Sequence, residues 1–390
     1  MRQVLFTLVL AAACAAAAPA KAQLSGLPVP TTPALPDVLS NTRDLAEDSL
    51  GSLEETRRRA IRNLLRTNRR TLEADPAGNP IVRSQILSVN PSEAALAQAQ
   101  AQGFEVTRTD ALALDVDVVT LRAPARMSTR RALRRLREGD PTGVYDFDHL
   151  HFEAGALAAT AMGQTGASGA GPRVGLIDSG VEGPVAAQRG FASDAPVAAQ
   201  HGTAVARLIG ETAPGARIYA ADIYGGAPTG GASSTLARAL DWLAQETVPV
   251  INVSLVGPRN RVIEAVVRRL IDRGFVIVAS VGNDGPAAAP LFPASYEGVV
   301  GVTGVDSRRR VLIEAGRGPQ VDFAALGVHG RTRGTSFASP IVAARLAQAL
   351  ARPDPGAANG AIEALSAHAH DLGARGRDDI YGYGLISGPN

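Results

Sequence analysis

Three residues within the span 173–390 carry side chains suited to acid–base or nucleophilic work, and each stands where a backbone element starts or stops. Asp178 follows the apolar run Arg173-Val174-Gly175-Leu176-Ile177 and precedes Ser179-Gly180, so its carboxylate is expected at the mouth of a strand. His201 opens His201-Gly202-Thr203 ahead of the helix-like Ala204–Ile209, which puts an imidazole at a helix start. Ser336 lies in Gly334-Thr335-Ser336-Phe337-Ala338-Ser339-Pro340, where Gly334 permits close approach and a helix is expected over Ser336–Leu350. Taken singly, each has an ordinary alternative: a turn, a surface or capping histidine, an N-cap serine. Taken together, hydroxyl, imidazole and carboxylate are the groups of acyl transfer. A hydroxyl is a weak nucleophile at neutral pH until a base within reach takes its proton.

The elements that must position these groups are legible as apolar runs. Val174–Ile177, Ile218–Ile223, Val248–Leu255, Phe275–Ser280 and Val299–Val305 are short, β-branched and almost uninterrupted by polar residues. Strands of that texture are buried on both faces, so a mostly parallel sheet sandwiched between helices is expected over residues 173–390. In such sheets ligands collect at the carboxyl ends of the strands. Upstream, residues 153–172 hold seven Ala and five Gly and are expected to form a flexible connector. Residues 81–152 suggest a small α+β unit, with helices at Ser92–Gln102 and Ser128–Glu138. Its strands are expected at Phe104–Arg108, around Asp115–Leu121 and at Gly143–Phe147. Within residues 23–80, a linker carrying Pro28, Pro30, Pro33 and Pro36 leads into an Arg-rich helix interrupted near Gly51. The acids at Asp44, Glu47, Asp48, Glu54 and Glu55 precede its arginines, which suits the helix dipole. A solvated face is expected there, and contact with a membrane surface is the disfavoured alternative.

Composition narrows the function classes. The chain has 390 residues, 45% apolar and 19% charged, which excludes a disulfide-stapled miniprotein and a disordered polyelectrolyte. A net charge of +2 supplies no overall field for nucleic acid, so none is expected as a partner. Residues 1–22 combine Arg2, an apolar run from Val4 to Ala18 and the small-x-small site Ala20-Lys21-Ala22, the pattern of an export signal. Its removal takes away Arg2, Lys21 and Cys14, leaving a neutral balance and neither cysteine nor lysine. The expected destination is the periplasm or the exterior, with lipid attachment at Cys14 as a minor alternative.

The order Asp178, His201, Ser336, with the flanking residues quoted above, resembles the subtilisin-like serine proteases (subtilases, peptidase family S8). Two further stretches carry the resemblance: Ala279-Ser280-Val281-Gly282-Asn283-Asp284-Gly285 and Ile251-Asn252-Val253-Ser254-Leu255. It covers Arg173 to about Ser387 and, more weakly, Gly103–Phe152, where Tyr145–Phe152 is similar to the end of the family's inhibitory propeptides. The resemblance implies a three-layer subtilisin-like fold and an exported, self-processing serine endopeptidase acting on polypeptides. It makes Ser336 the nucleophile, His201 the base and Asp178 its orienting carboxylate. It makes Asn283 the side-chain donor of the oxyanion hole, and Ser254, Leu255, Val256 and Gly257 the edge that binds substrate. The propeptide would serve as intramolecular inhibitor and chaperone. No cofactor or metal ligand set is implied.

Several residues depart from the family pattern. Only 22 residues separate Asp178 from His201, and no family calcium loop is recognisable. Ala204 and Arg207 stand where a second His and a Gly are usual, so the helix after His201 is expected to pack differently. Val256 takes the place of a Gly and, with Leu291, is expected to restrict the residue before the scissile bond to a modest apolar one. Phe337 replaces a Met, removing an oxidation-sensitive thioether beside the nucleophile. The competing reading is a catalytically silent subtilisin-like domain that binds or scaffolds partners in the cell envelope.

Overall fold

The computed structural model describes residues 55, 57–113, 115–154, 171–227 and 229–388. The export signal, the Pro-rich linker and the interruption near Gly51 lie outside the described residues. The first described helix, α1, covers residues 57–67. An antiparallel five-stranded sheet follows, built from β1 (Leu72–Ala74), β2 (Pro80–Val89), β3 (Glu105–Leu112), β4 (Val116–Arg122) and β5 (Val144–His149). Strands β1, β4 and β5 all pair with β2, and β3 closes the far edge on β4. Helices α2 (Glu93–Ala101) and α3 (Thr129–Gly139) are started by Ser92 and Ser128, whose hydroxyls accept from Ala95 N–H and Arg131 N–H. Leu133 and Leu136 of α3 bury on Ile86, Phe104, Leu121 and Phe147, closing a small core of its own.

Strand β2 was not among the expected strands, and the reason lies in its backbone. Its pairing register with β5 shifts between Ile81 and Ile86, and Ser84 between them sits at φ 61°. A bulge of this kind breaks the two-residue alternation by which strands are read. The strand expected at Phe104–Arg108 instead runs on to Leu112, for the same reason: a register shift between Val106 and Arg108.

The second sheet has seven strands in the order β14-β13-β12-β10-β7-β9-β8, and every pairing in it is parallel. Its members are β7 (Arg173–Asp178), β8 (Ala187–Gly190), β9 (Arg217–Asp222), β10 (Val250–Val253), β12 (Val276–Ser280), β13 (Val300–Val305) and β14 (Phe323–Leu326). Alternate residues feed two cores. Ile177, Ile251 and Ile277 face α5 (Ser233–Gln245) and α6 (Arg261–Asp272), where Leu236, Leu243, Val266 and Leu270 bury. Val174, Leu176, Val250 and Val278 face α4 (Gln200–Thr212) and α7 (Ser339–Ala349) through Val205, Ile209, Ile341 and Val342. Each fully buried aliphatic side chain contributes roughly 1.5–3 kcal/mol, so burial on both faces is what makes the runs almost wholly apolar. Helix α8 (Pro355–His368) lies outside α7. This is the three-layer α/β architecture expected.

The antiparallel sheet presents Leu87, Leu112, Val116 and Val118 to the same core as α5 and α6. The contact is also polar: Asp148 accepts from Ser234 N–H at 2.9 Å, and Asp146 from Arg261 N–H at 2.8 Å, at the first turns of α5 and α6. After β5 the chain forms β6 (Phe152–Glu153), which pairs antiparallel with β11 (Leu255–Val256). Glu153 and Ala154 were expected to belong to the flexible connector. They are instead held in extended backbone, because the edge at β11 satisfies their polar groups; residues 155–170 of the connector lie outside the described residues.

Candidate active site

The polar groups of the sequence analysis arrive from four separate elements. Asp178 is the last residue of β7 and His201 the second of α4, and both are fully buried. Asn283 follows β12 by three residues. Ser336 is the middle residue of a 3-10 turn, Thr335–Phe337, and α7 begins only at Ser339. The helix expected to start at Ser336 therefore starts three residues later. Gly334 at φ 140° turns the chain from the preceding strand pair, Val328–His329 with Thr332–Arg333, into that 3-10 turn, a conformation costly for any residue with a Cβ.

His201 Nδ1 lies 2.8 Å and 2.9 Å from the two carboxylate oxygens of Asp178. A carboxylate only accepts, so this nitrogen carries the hydrogen and Nε2 is left as the basic lone pair. Asp178 Oδ1 also accepts from Ser179 N–H at 2.7 Å, and Ser179 Oγ accepts from Gly202 N–H at 3.0 Å. A Cβ on Gly202 would stand 2.3 Å from the Ser179 carbonyl, so only glycine lets α4 start this close to β7. Asp222, at the end of β9, accepts from Val197 N–H at 2.7 Å and so fixes the segment that enters α4. Burial alone would push the His201 imidazole down, but the charge and hydrogen bond of Asp178, joined by the charge of Glu153, raise it above its ordinary value.

Ser336 Oγ donates to the Ser254 carbonyl at 3.4 Å, and His201 Nε2 is buried without a hydrogen-bond partner. A buried ring nitrogen without a partner is costly to maintain. Ser254 also accepts from Ala154 N–H at 3.3 Å, while Leu255 and Val256 pair with Glu153 and Phe152. On the opposite side His151 N–H donates to the Gly231 carbonyl at 2.8 Å. Residues 151–154 are thus clamped by main-chain bonds between two edges, and the carbonyl of Ala154 receives two donors. One is Ser336 N–H at 3.2 Å; the other is the Asn283 side-chain amide, whose own oxygen accepts from Thr335 N–H at 3.0 Å. Val256 and Leu291 converge over Gly282, where a Cβ would meet Leu291 Cδ1 at 2.5 Å and Val256 Cγ1 at 3.5 Å. Gly257 N–H bonds the Phe292 carbonyl and its Cα side faces the His151 ring, so it supports the edge from behind.

Glu153, Asp178 and His201 bring ligand-type atoms within 4.8 Å of one another. The Asp178 oxygens are already engaged by His201 and Ser179, and Glu153 comes from the clamped strand.

Residues 169–384 match the model of the subtilase family, peptidase S8. The chain belongs to the subtilase family. Its enzyme class is accordingly that of serine-type endopeptidases. This subtilase is 31% identical over 207 residues to the minor extracellular protease Epr of Bacillus subtilis, covering 48% of this chain and 32% of that protein. It is 27% identical over 306 residues to subtilisin E of the same organism, covering 68% and 79%. The chain thus spans about a third of the first relative's length and most of the second's. Among solved structures, fervidolysin from Fervidobacterium pennivorans, described as a keratinolytic enzyme related to subtilisin, superposes with a TM-score of 0.63 at 18% identity. That match covers 79% of this subtilase and 60% of fervidolysin, a likeness of fold.

Of the site residues singled out from sequence, Ser336, Asn283 and Ser254 meet Ala154 directly, Leu255 and Val256 pair with the two residues before it, His201 and Asp178 form a pair beside Phe337, and Gly257 lies behind the edge against His151. Sequence reasoning missed Ser179, Asp222, Gly231 and Ala154 itself. Gly230-Gly231 after an apolar strand was a visible signal for a second edge. Ala154 had none, because it takes part through its backbone.

Proposed function

We propose that this subtilase is an exported serine endopeptidase made as a self-processing zymogen, and that its first substrate is its own Ala154–Gly155 bond. The observation that carries this reading is the Ala154 carbonyl lying between the Asn283 amide and Ser336 N–H, the two donors an oxyanion would need. Ser336 Oγ, turned from Ser254 toward His201, attacks that carbonyl carbon while His201 Nε2 takes its proton. Asp178 stabilises the imidazolium that results. The C–N bond to Gly155 then breaks, with His201 handing the proton to the departing amine. Water hydrolyses the Ala154 ester, and residues 81–152, with Glu153 and Ala154, remain as an inhibitor occupying the site. Export agrees with the signal-like residues 1–22 and with the extracellular relative, and it ends in the periplasm or outside the cell.

Labelling with a fluorophosphonate tests the reading. Covalent capture of the processed chain at Ser336, with a new N-terminus at Gly155, is expected; a processed chain that never reacts would sink it.

The polarity of the site sets its pH dependence. General-base action needs neutral His201, whose pKa is raised in the uncut chain. Self-cleavage should therefore rise with pH, with a midpoint above the ordinary imidazole value of 6.5. The stabilising contribution of charged His201 on Asp178 has the opposite trend: it is complete below the ordinary value and is lost as pH rises through the raised one. Glu153→Gln removes one anion that holds the imidazolium, so the rate profile should move to lower pH. A profile that stays in place, measured from band intensities over time, would remove Glu153 from the argument.

Val256 and Leu291 support a preference for small residues before the scissile bond, in keeping with Ala154 in that position. Val256→Gly should raise kcat/KM for a Phe-containing peptide, relative to its Ala counterpart, by about 10-fold or more, the scale on which a pocket senses single methylenes. An unchanged ratio across a matched peptide series would place the restriction elsewhere.

A further inference from the structure

Helix α1 lies where a solvated arginine face was expected, yet one side of it is turned into the site. Arg57, Ala60, Ile61 and Leu64 follow the i, i+3, i+4, i+7 spacing of one helix face, and all four line a cavity of about 780 Å³. The opposite wall is formed by Ala154, Val256, Asn283, Asp284 and Ile313, so the cavity opens directly beside the carbonyl to be cleaved. Arg58, Arg59, Arg62 and Arg66 are exposed on the outer side, which is the part of the expectation that holds.

Two kinds of contact fasten the helix. The Arg57 guanidinium pairs with the carboxylate of Asp284, both mostly buried, and Asp284 is the residue after the oxyanion donor Asn283. Leu64 and Leu65 pack, as does Phe152, on the cluster of Leu72, Val82, Leu150 and Ala232. The helix thus touches both the segment that carries the clamped strand and the loop that carries the oxyanion donor. It leads into β1 through residues 68–71, and Leu64 and Leu65 rest on the β1–β2 edge of the antiparallel sheet at Leu72 and Val82, away from the face that docks on α5 and α6.

We propose that α1 is a second inhibitory element, a cap that walls in the cleft beside Ala154 and steadies Phe152–Ala154, so that activation requires its release as well as cleavage. The inference rests on the reading of residues 81–152 as an inhibitor and adds to it a separable part. A partly buried ion pair and two aliphatic contacts are individually modest, which suits an element that must later come away.

The test replaces the cap's contacts in the full chain, with Arg57→Glu and Ile61→Asp together. In the self-processing protein, the lag between cleavage and full hydrolysis of a small peptide substrate should shorten at least about fivefold, with the same final rate. In the Ser336→Ala background, which stays uncut, hydrogen exchange at residues 152–154 and 283–285 should quicken while Leu87 and Leu121 keep their protection. An unchanged lag with unchanged exchange overturns the proposal. So does loss of protection at Leu87 and Leu121, which would make α1 part of the inhibitor's fold. If neither chain cleaves itself, the self-processing reading falls and the exchange measurement still decides the role of α1.

Discussion

Ser336→Ala should keep the chain at full length where the wild type divides at Ala154–Gly155, and the rate of that cut should drop roughly 10⁶-fold, the scale seen when a subtilisin loses its nucleophile. The size follows from the division of labour. Without Oγ there is no acyl-enzyme, and His201 then has only water to activate, in a site where Ser336, His201 and Asp178 are fully buried and β6 covers the cleft. The two oxyanion donors remain, so a slow residual hydrolysis is expected instead of none. His201→Ala should cost nearly as much, and the double variant scarcely more than either, because the residues act as one device. Intact mass over time is the measurement. Fragments beginning at Gly155 that form from Ser336→Ala at the wild-type rate would show that another nucleophile, or another protease, makes the cut.

Asn283→Ala should lower kcat by about 10²–10³, the cost of one oxyanion donor. Its amide reaches the Ala154 carbonyl while its oxygen takes Thr335 N–H, so the alanine variant also leaves that backbone donor without its partner. The second loss is one of stability, about 1 kcal/mol. Asn283→Asp separates the two: it keeps an acceptor for Thr335 and loses the donor, setting a negative charge beside the developing oxyanion. Its kcat should fall at least as far as that of the alanine variant, with thermal stability nearer to wild type. A change confined to KM in either variant would mean that Asn283 binds the ground state and transition state alike.

How much of this was legible in the sequence depended on the range over which each feature is encoded. Asp178, His201 and Ser336 were readable because each sits in a local pattern of strand end, helix start or glycine-led turn. The parallel sheet was readable because burial on both faces leaves runs such as Val276–Ser280 almost purely apolar. Strand β2 escaped because the shift around Ser84 hides its alternation. Arg57 escaped for a different reason. Its partner Asp284 lies far along the chain, and an arginine on an amphipathic helix bears no local mark of whether it will meet water or a carboxylate. Ala154 was the least legible of all, since a methyl side chain records nothing about a carbonyl that two donors converge on.

The clamping of residues 151–154 between two strand edges has a kinetic consequence. A bond held in place by its own chain meets the nucleophile at an effective concentration fixed by geometry, which well-oriented intramolecular reactions can raise to about 10⁵ M or more. In the self-cleavage proposed above, the first turnover would therefore be unimolecular, with the same half-life in a crowded compartment as at extreme dilution. Later turnovers, on other chains, would lose that advantage and would rely on the modest affinity of an extended backbone for the Ser254–Val256 edge. Maturation and digestion would thus obey different rate laws in one active site, the first indifferent to how far the protein has been diluted and the second wholly governed by it.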